Sequence, residues 1–452
     1  MKYKIFVLAF FAVYLSNANS LMQSPIKGSI AASSIQTITL AANNTDVALL
    51  LGCGAVVYAL DVKDNNAAEA VGNQFSSILS FESKIQSALG TSNFHILDME
   101  INPISKSIYV LIEGQFSYQK YLLLVKDKGN SITNVNLSNV DYCSISYPAP
   151  FTRNLDMSFA NNTLYVAASA ANLNGSVGYI TSPFIHNSSF SQRSTTMFKS
   201  NWGNVYMTSA PLQVMECINV NGQYRLAGVT TCAPGYSFPV SDINGGGLLQ
   251  VKEHFDMVFG NSKKAVGINH NNDTYLFCLH DLYENNAWNY TIYRLGEKYL
   301  DGSRIQQNQY NSDAQMLRDF SYQPTVGIGE GDFYRYDGYY KMIAYYDDCN
   351  LLALEKAGDL KVLDLQLCQT TAVAPKNVSS ITVYPNPVLD KLSITGAANS
   401  ELQIFDLTGK KLLHLMLGEN SSHVDFSSFA AGIYNIQIMQ NGTVIYQEKL
   451  VK

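Results

Sequence analysis

"LDMEI" (97–101), "LDMSF" (155–159) and "FDMVF" (255–259) share one pattern: an apolar residue, Asp, Met, any residue, then an apolar residue. Each is followed by a short polar turn and another apolar run: "NPISKSIYVLI", "ANNTLYVAA" and "GNSKKAVGI". The aspartates are Asp98, Asp156 and Asp256. The second interval is nearly twice the first, as if an intervening copy had diverged, and "RDFSY" (318–322) reads as a degenerate fourth. Multi-strand repeats of roughly 45–60 residues are the pattern of propeller blades. The expectation is an all-β body over 21–369, a β-propeller of six or seven blades, with each Asp capping a turn. A sandwich or a two-domain β protein is the alternative.

Composition agrees with strands. The chain has 452 residues, 12% aromatic and 15% charged, with 29 Tyr and 30 Gly. That length suits two domains, and low charge with abundant Tyr, Asn and Ser suits strands joined by polar turns. "SIYVLIEG" (107–114), "TLYVAASA" (163–170) and "TYLFCLHD" (274–281) are typical apolar runs, separated by turn signals such as "ANN" and "HNND". One helical patch is expected at 70–90, "AVGNQFSSILSFESKIQSALG". A net charge of -6 with no Lys/Arg cluster gives no electrostatic footprint for nucleic acid.

Residues 1–20 read as a signal peptide. Lys2 and Lys4 give a positive start, Ile5 to Leu15 an apolar run, and "SNANS" small residues for cleavage after Ala18 or Ser20. The run is short for a bilayer span, and no later segment approaches one, so the mature chain is expected to carry no transmembrane segment. Export permits disulfides. Of seven cysteines, Cys217 with Cys232 and Cys349 with Cys368 are close in sequence and are the expected pairs. No C-x-x-C occurs, and no cofactor is expected.

His254, Asp256, His270, Asp273, His280 and Asp281 crowd one region. His254, His270, Asp273 and His280 are candidate metal ligands, set against their reading as turn and strand surface, because the spacings match no compact motif. In "DVKDNN" (61–66), Asp61, Asp64 and Asn65 offer calcium-type oxygens but lack the glycine and terminal Glu of a calcium loop. "NGGG" (244–247) lacks the Lys-Ser/Thr of a phosphate cradle. No G-x-S-x-G occurs, so catalytic residues stay unassigned. "GDFYRYDGYYKMIAYYDD" (331–348) could present Tyr side chains to a ligand or pack them between blades.

After a linker at 370–380, the sequence changes character. "VYPNPVLDKLSI" (383–394) reads strand, turn, strand, with Pro385 and Pro387 restricting the turn. "IFDLTGKKL" (404–412), "VDFSSFAAGIYNIQI" (424–438) and the terminal "EKLVK" (448–452) follow with strand alternation, as in a small immunoglobulin-like β-sandwich over 381–452. From about residue 380 onward this tail resembles the C-terminal sorting domain of type IX secretion substrates of Bacteroidetes. The motif residues are Tyr384, Pro385, Asn386, Pro387, Asp390, Gly409, Gly432, Tyr434 and Lys452. Gly432 is expected to hold a backbone shape that a β-branched residue resists, and Tyr434 to pack across the sandwich. The resemblance implies a type IX translocon as partner, a sortase-like enzyme in some members, and a secreted or surface-attached product. For the body, a binding protein for glycan, peptide or protein is expected. A hydrolase or lyase on a propeller scaffold is the alternative.

Overall fold

The computed structural model describes residues 20–452, apart from 92, 200–204, 209–210, 231–234, 246, 252–253, 256–260, 285, 302–332, 369–380, 407–409, 419–420 and 441–442. The chain divides into two compact units, 1–367 and Cys368–Lys452.

The body is all-β and propeller-like. Its described residues form six four-stranded antiparallel arrays, here sheets A to F in order of their first strands, some extended by short edge strands. Those first strands are β1 (Thr37–Ala42), β2 (Phe94–Ile101), β3 (Phe151–Ala160), β4 (Leu212–Val220), β5 (Ser262–His270) and β6 (Tyr340–Asp347). Each touches two others, and the contacts close a ring in the order β2, β1, β3, β4, β5, β6 and back to β2.

Each step round that ring has its own apolar cluster. Leu50 and Val166 meet between sheets A and C, Leu226 and Val177 between C and D, and Ile218 and Leu276 between D and E. Phe277 and Leu351 meet between E and F, Leu352 and Val110 between F and B, and Leu111 and Leu49 between B and A. A sheet covered on both faces needs apolar side chains on both sides of its strands. That is why Val47–Cys53 and Thr163–Ala170 are buried along their whole length.

The chain does not visit the sheets in simple order. The fourth strand of sheet A, Val140–Ser146, is supplied only after sheet B is complete. The fourth strand of sheet F, Ser77–Ile78, comes from before sheet B. This corrects the single helix expected at 70–90. The segment is two helices, Ala70–Asn73 and Phe81–Leu89, parted by that strand. Phe81 and Ile85 on the second helix enter the cluster between sheets B and F.

The Asp-Met repeat is also corrected. Five first strands shift register against their second strands, and the residue following the shift is Asp98, Asp156, Val214, Lys264 or Met342. Asp98 and Asp156 therefore hold equivalent places, within strands rather than capping turns. Each accepts the backbone N–H of the next residue, at 2.9 Å from Met99 and 2.9 Å from Met157. Each also accepts a backbone N–H from a neighbouring first strand, Ile38 at 2.9 Å and Met215 at 2.8 Å. Asp256 and "RDFSY" lie outside the described residues. The strand preceding Asp256, His254–Phe255, is the fourth of sheet D, and the strand following it is β5 itself.

Cys349 and Cys368 are disulfide-bonded. Cys217 is a free, buried thiol in the apolar cluster between sheets C and D, so the expected bond to Cys232 is not made; Cys232 lies outside the described residues. Cys53, Cys143 and Cys278 are likewise free and buried.

The second unit has a three-stranded sheet (Thr382–Tyr384, Lys391–Thr395, Ser421–Asp425) and a four-stranded sheet (Lys411–Leu417, Ser400–Phe405, Ile433–Gln440, Thr443–Val451). Leu392, Ile404, Phe426 and Ile436 belong to one core shared by both, an arrangement consistent with the expected sandwich.

Candidate functional site

The six first strands line a half-open cavity of about 200 Å³, and each contributes a polar residue to its wall: Thr39, Glu100, Ser158, Glu216, Lys264 and Tyr345. They come from β1 to β6 in that order. Strand alternation sets which residues face inward. Glu100 and Ser158 stand two residues beyond Asp98 and Asp156, and so on the same side of the strand.

Lys264 organises the charge. Its Nζ lies 2.8 Å from Asp98 Oδ1 and 2.6 Å from Glu100 Oε1, with its side chain only 6% exposed. Asp98 Oδ2 accepts from Thr37 Oγ1 at 2.7 Å, tying β1, β2 and β5 together. Burial works against the ammonium, but the carboxylates of Asp98, Glu100 and Asp156 overcome it and hold Lys264 well above its usual range. Asp156 is pushed up to about 7, mainly by burial and against the pull of Lys264. Burial pushes Glu216 up to about 8, although Ser158 donates to Glu216 Oε1 at 2.8 Å. Near neutral pH, then, Glu216 holds its proton while Lys264 holds its charge.

The expected ligand candidates are not brought together. His254 is in the fourth strand of sheet D, its backbone opposite Tyr236. His270 and Asp273 flank the hairpin from β5 to its partner strand; the His270 ring lies 2.7 Å from Asn271 Nδ2 and Asp273 accepts from Tyr275. His280 is buried, 2.8 Å from Ser262 Oγ. Among the described residues, no group of three or more potential metal ligands contains two of these four.

The calcium-type oxygens are also engaged. Asp64 accepts from Tyr109 and Asn102 and pairs with Lys126 at 3.2 Å, while Asp61 pairs with Lys63 and Asn65 donates to Thr45 O. Arg193 spans the "NGGG" loop, donating to Gly247 O. The Tyr-rich stretch divides its roles. Tyr336 and Tyr340 are buried between sheets E and F, and Tyr345 faces the cavity.

In the second unit the motifs converge on the last strand. Asn386 donates to Lys449 O at 2.8 Å and accepts from Val451 N at 3.0 Å. Lys452 exchanges backbone hydrogen bonds with Gly432, and its Nζ donates to Phe426 O and Ser427 O. Asp390 O accepts from Phe426 N. Tyr434 packs edge-on to Phe426 and Phe429 and donates to Ala430 O at 2.6 Å. Tyr384 is exposed; Pro385 and Pro387 each follow a cis peptide bond. Gly432 corrects the expectation: its φ is not left-handed, and an added Cβ would meet nothing nearer than 3.9 Å. Gly409 lies outside the described residues.

Residues 382–452 match the family described as secretion system C-terminal sorting domain. The ulvan lyase NLR42 of Nonlabens ulvanivorans is 33% identical over 85 residues, which are 18% of this chain and 16% of the relative's length. A PorZ structure from Porphyromonas gingivalis, described as an essential bacterial surface component of the type-IX secretion system, aligns at 11% identity. That alignment covers 92% of this chain and 81% of PorZ, with a TM-score of 0.15. The Dos1 propeller aligns at 11% identity over 94% of each chain, with a TM-score of 0.28. At these TM-scores the two likenesses carry no weight for the body. The tail is that of a type IX secretion substrate. The chain is exported cargo that engages the type IX machinery, and it is secreted or attached to the outer surface. No helix among the described residues is long and apolar enough to cross a membrane.

Proposed function

We propose that the body is a six-bladed β-propeller that binds a neutral, hydroxyl-rich ligand, a glycan unit, in its axial cavity. In chain order, a signal peptide at 1–20 precedes the body, and a linker at 370–380 leads to an immunoglobulin-like sandwich that serves as the sorting domain. The observation that carries this reading is the meeting of one polar side chain from each of six strands in a single cavity. Small-ligand sites are concave and carry a few convergent polar groups. The one lysine in the wall is already paired with two carboxylates, and Glu216 keeps its proton. What remains is hydroxyls, a carboxyl and a phenol, which suit sugar hydroxyls better than a charged group. The test is saturation-transfer NMR of the exported protein against neutral and acidic oligosaccharides, with Tyr345→Ala and Ser158→Val. Contact with neutral sugars that both substitutions abolish supports the reading. Binding that survives both places the ligand elsewhere.

A hydrolase or lyase is the second reading. Glu216, protonated near neutrality, and Glu100 share one cavity, as an acid and a base would. The lyase match spans only 18% of this chain and 16% of the relative, too little to carry that relative's activity over to the body. Reducing-end release assays on the same sugars separate the readings. An enzyme would lose turnover in Glu216→Gln while keeping its affinity.

A further inference from the structure

The sequence leaves two signal-cleavage points open, after Ala18 and after Ser20. Among the described residues, which begin at Ser20, Leu21 is firmly held. Its side chain is 2% exposed, within the cluster between sheets A and C. Its carbonyl accepts from Phe184 N at 2.8 Å, and Met22 and Gln23 pair with Phe184 and Ile185 as a short parallel strand. Ser20, one residue earlier, is exposed. The Leu21 nitrogen donates to Asp46 Oδ2 at 3.1 Å, and the other oxygen, Oδ1, accepts from Val47 N at 3.0 Å. Asp46 is partly buried, and no Lys, Arg or His among the described residues lies within ion-pair distance of it.

We propose that the signal is cut between Ser20 and Leu21, and that Asp46 is the binding site for the new N-terminal ammonium. Hydrolysis of that one peptide bond consumes a water, leaves a carboxylate on Ser20 and frees the Leu21 amine, which takes up a proton. The donor facing Asp46 then changes from a neutral amide to a cation, and such charge-assisted bonds are roughly twice as strong. Ala18 and Ser20 supply the small residues that cleavage at this bond needs. Cleavage after Ala18 would instead leave Asp46 facing an uncharged amide and place the ammonium two residues out.

The inference rests on reading 1–20 as a signal, and the first experiment separates the two. The exported protein is purified and its N-terminus sequenced. A start at Leu21 supports the cut. A start at Asn19 overturns it and leaves the signal reading standing, whereas recovery of Met1 removes both. The second experiment tests Asp46. Chains beginning at Leu21 and at Asn19 are released from a fusion that leaves no extra residue, each with and without Asp46→Asn. The substitution should lower the melting temperature by about 2 °C more in the Leu21 chain than in the Asn19 chain. An equal loss in both would show Asp46 to be an ordinary loop acceptor, with no role for the ammonium.

Discussion

Lys264 Nζ lies 2.8 Å from Asp98 Oδ1, and the two residues hold the same place in their respective strands. Each follows the register shift of a first strand, Ile96/Asp98 in β2 and Ser262/Lys264 in β5. β2 and β5 are not neighbours in the ring, because β6 stands between them. The ion pair therefore reaches past one sheet to join two others, and Asp98 passes the connection on to β1 through Ile38 N and Thr37 Oγ1. Removing one partner of a buried pair leaves the other charge uncompensated, typically at a cost of about 3–5 kcal/mol. Lys264→Met should destabilise the body on that scale. Adding Asp98→Asn to Lys264→Met should restore part of the loss, and urea titration of the four proteins measures the coupling. Strict additivity would mean that the pair contributes nothing as a pair.

A second prediction concerns pH. In the folded protein Asp156 titrates near 7 and Glu216 near 8, against about 3.9 and 4.3 for unfolded carboxyls. Between about pH 4 and those values the native state keeps protons that the unfolded state has released. The unfolded state then binds fewer protons, so stability falls as pH rises. This contribution is full below about pH 4 and is lost as pH climbs through about 7 and 8. Glu216→Gln removes one titration. Denaturant midpoints at pH 5 to 9 should show wild type losing stability relative to Glu216→Gln across this range, up to about pH 8. A constant difference between the two proteins would place the Glu216 carboxyl in the ordinary range.

Gly228 tests the packing of sheet D. A Cβ added there would lie 1.9 Å from the carbonyl oxygen of Val214, a backbone atom that also accepts from Tyr236 Oη at 3.0 Å. Backbone cannot rotate away as a long side chain can. Gly228→Ala should therefore cost at least the usual overpacking range of about 1–3 kcal/mol. Tyr236→Phe, which only deletes the hydroxyl, should cost about 1 kcal/mol. Thermal melts showing Gly228→Ala to be the milder change would contradict this close approach.

The all-β body, its sheet periodicity and the sorting tail were legible because each rests on local sequence. Alternation, turn residues and the Tyr384–Pro387 motif all act over a few positions. The turn signals "ANN" and "HNND" were legible as turns, but not as one repeated hairpin position. Asn161-Asn162, Asn221-Gly222 and Asn271-Asn272 each join a first strand to its partner, and all six residues have positive φ. Asn and Gly tolerate that conformation in tight hairpins, so these pairs mark sheets C, D and E. Lys264 could not be read at all. Its partners Asp98 and Glu100 lie 166 and 164 residues earlier, and nothing in "SKKAVGI" distinguishes a buried ion-paired lysine from a surface one.

The last prediction separates sorting from folding. Asn386 holds the Pro-Asn-Pro turn to the final strand with three hydrogen bonds, to Lys449 O and Glu448 Oε1 and from Val451 N. Asn386→Ala removes all three and should loosen the tail by about 1–3 kcal/mol. Tyr434→Ala removes a ring that packs edge-on against the stacked Phe426 and Phe429 and should cost about 3–5 kcal/mol. Gly432→Val should be tolerated, because the position has ordinary backbone and open space. In a host with a type IX system, Tyr434→Ala should trap the cargo inside the envelope, Asn386→Ala should lower surface yield, and Gly432→Val should leave export near normal. Loss of residues 380–452 should block export outright. The body of each trapped protein should still melt at the wild-type temperature, because its six clusters draw only on residues before 368. Normal surface levels of the tail-deleted chain would show that export uses another address. A body that unfolds when Tyr434 is changed would show that the two units are not independent.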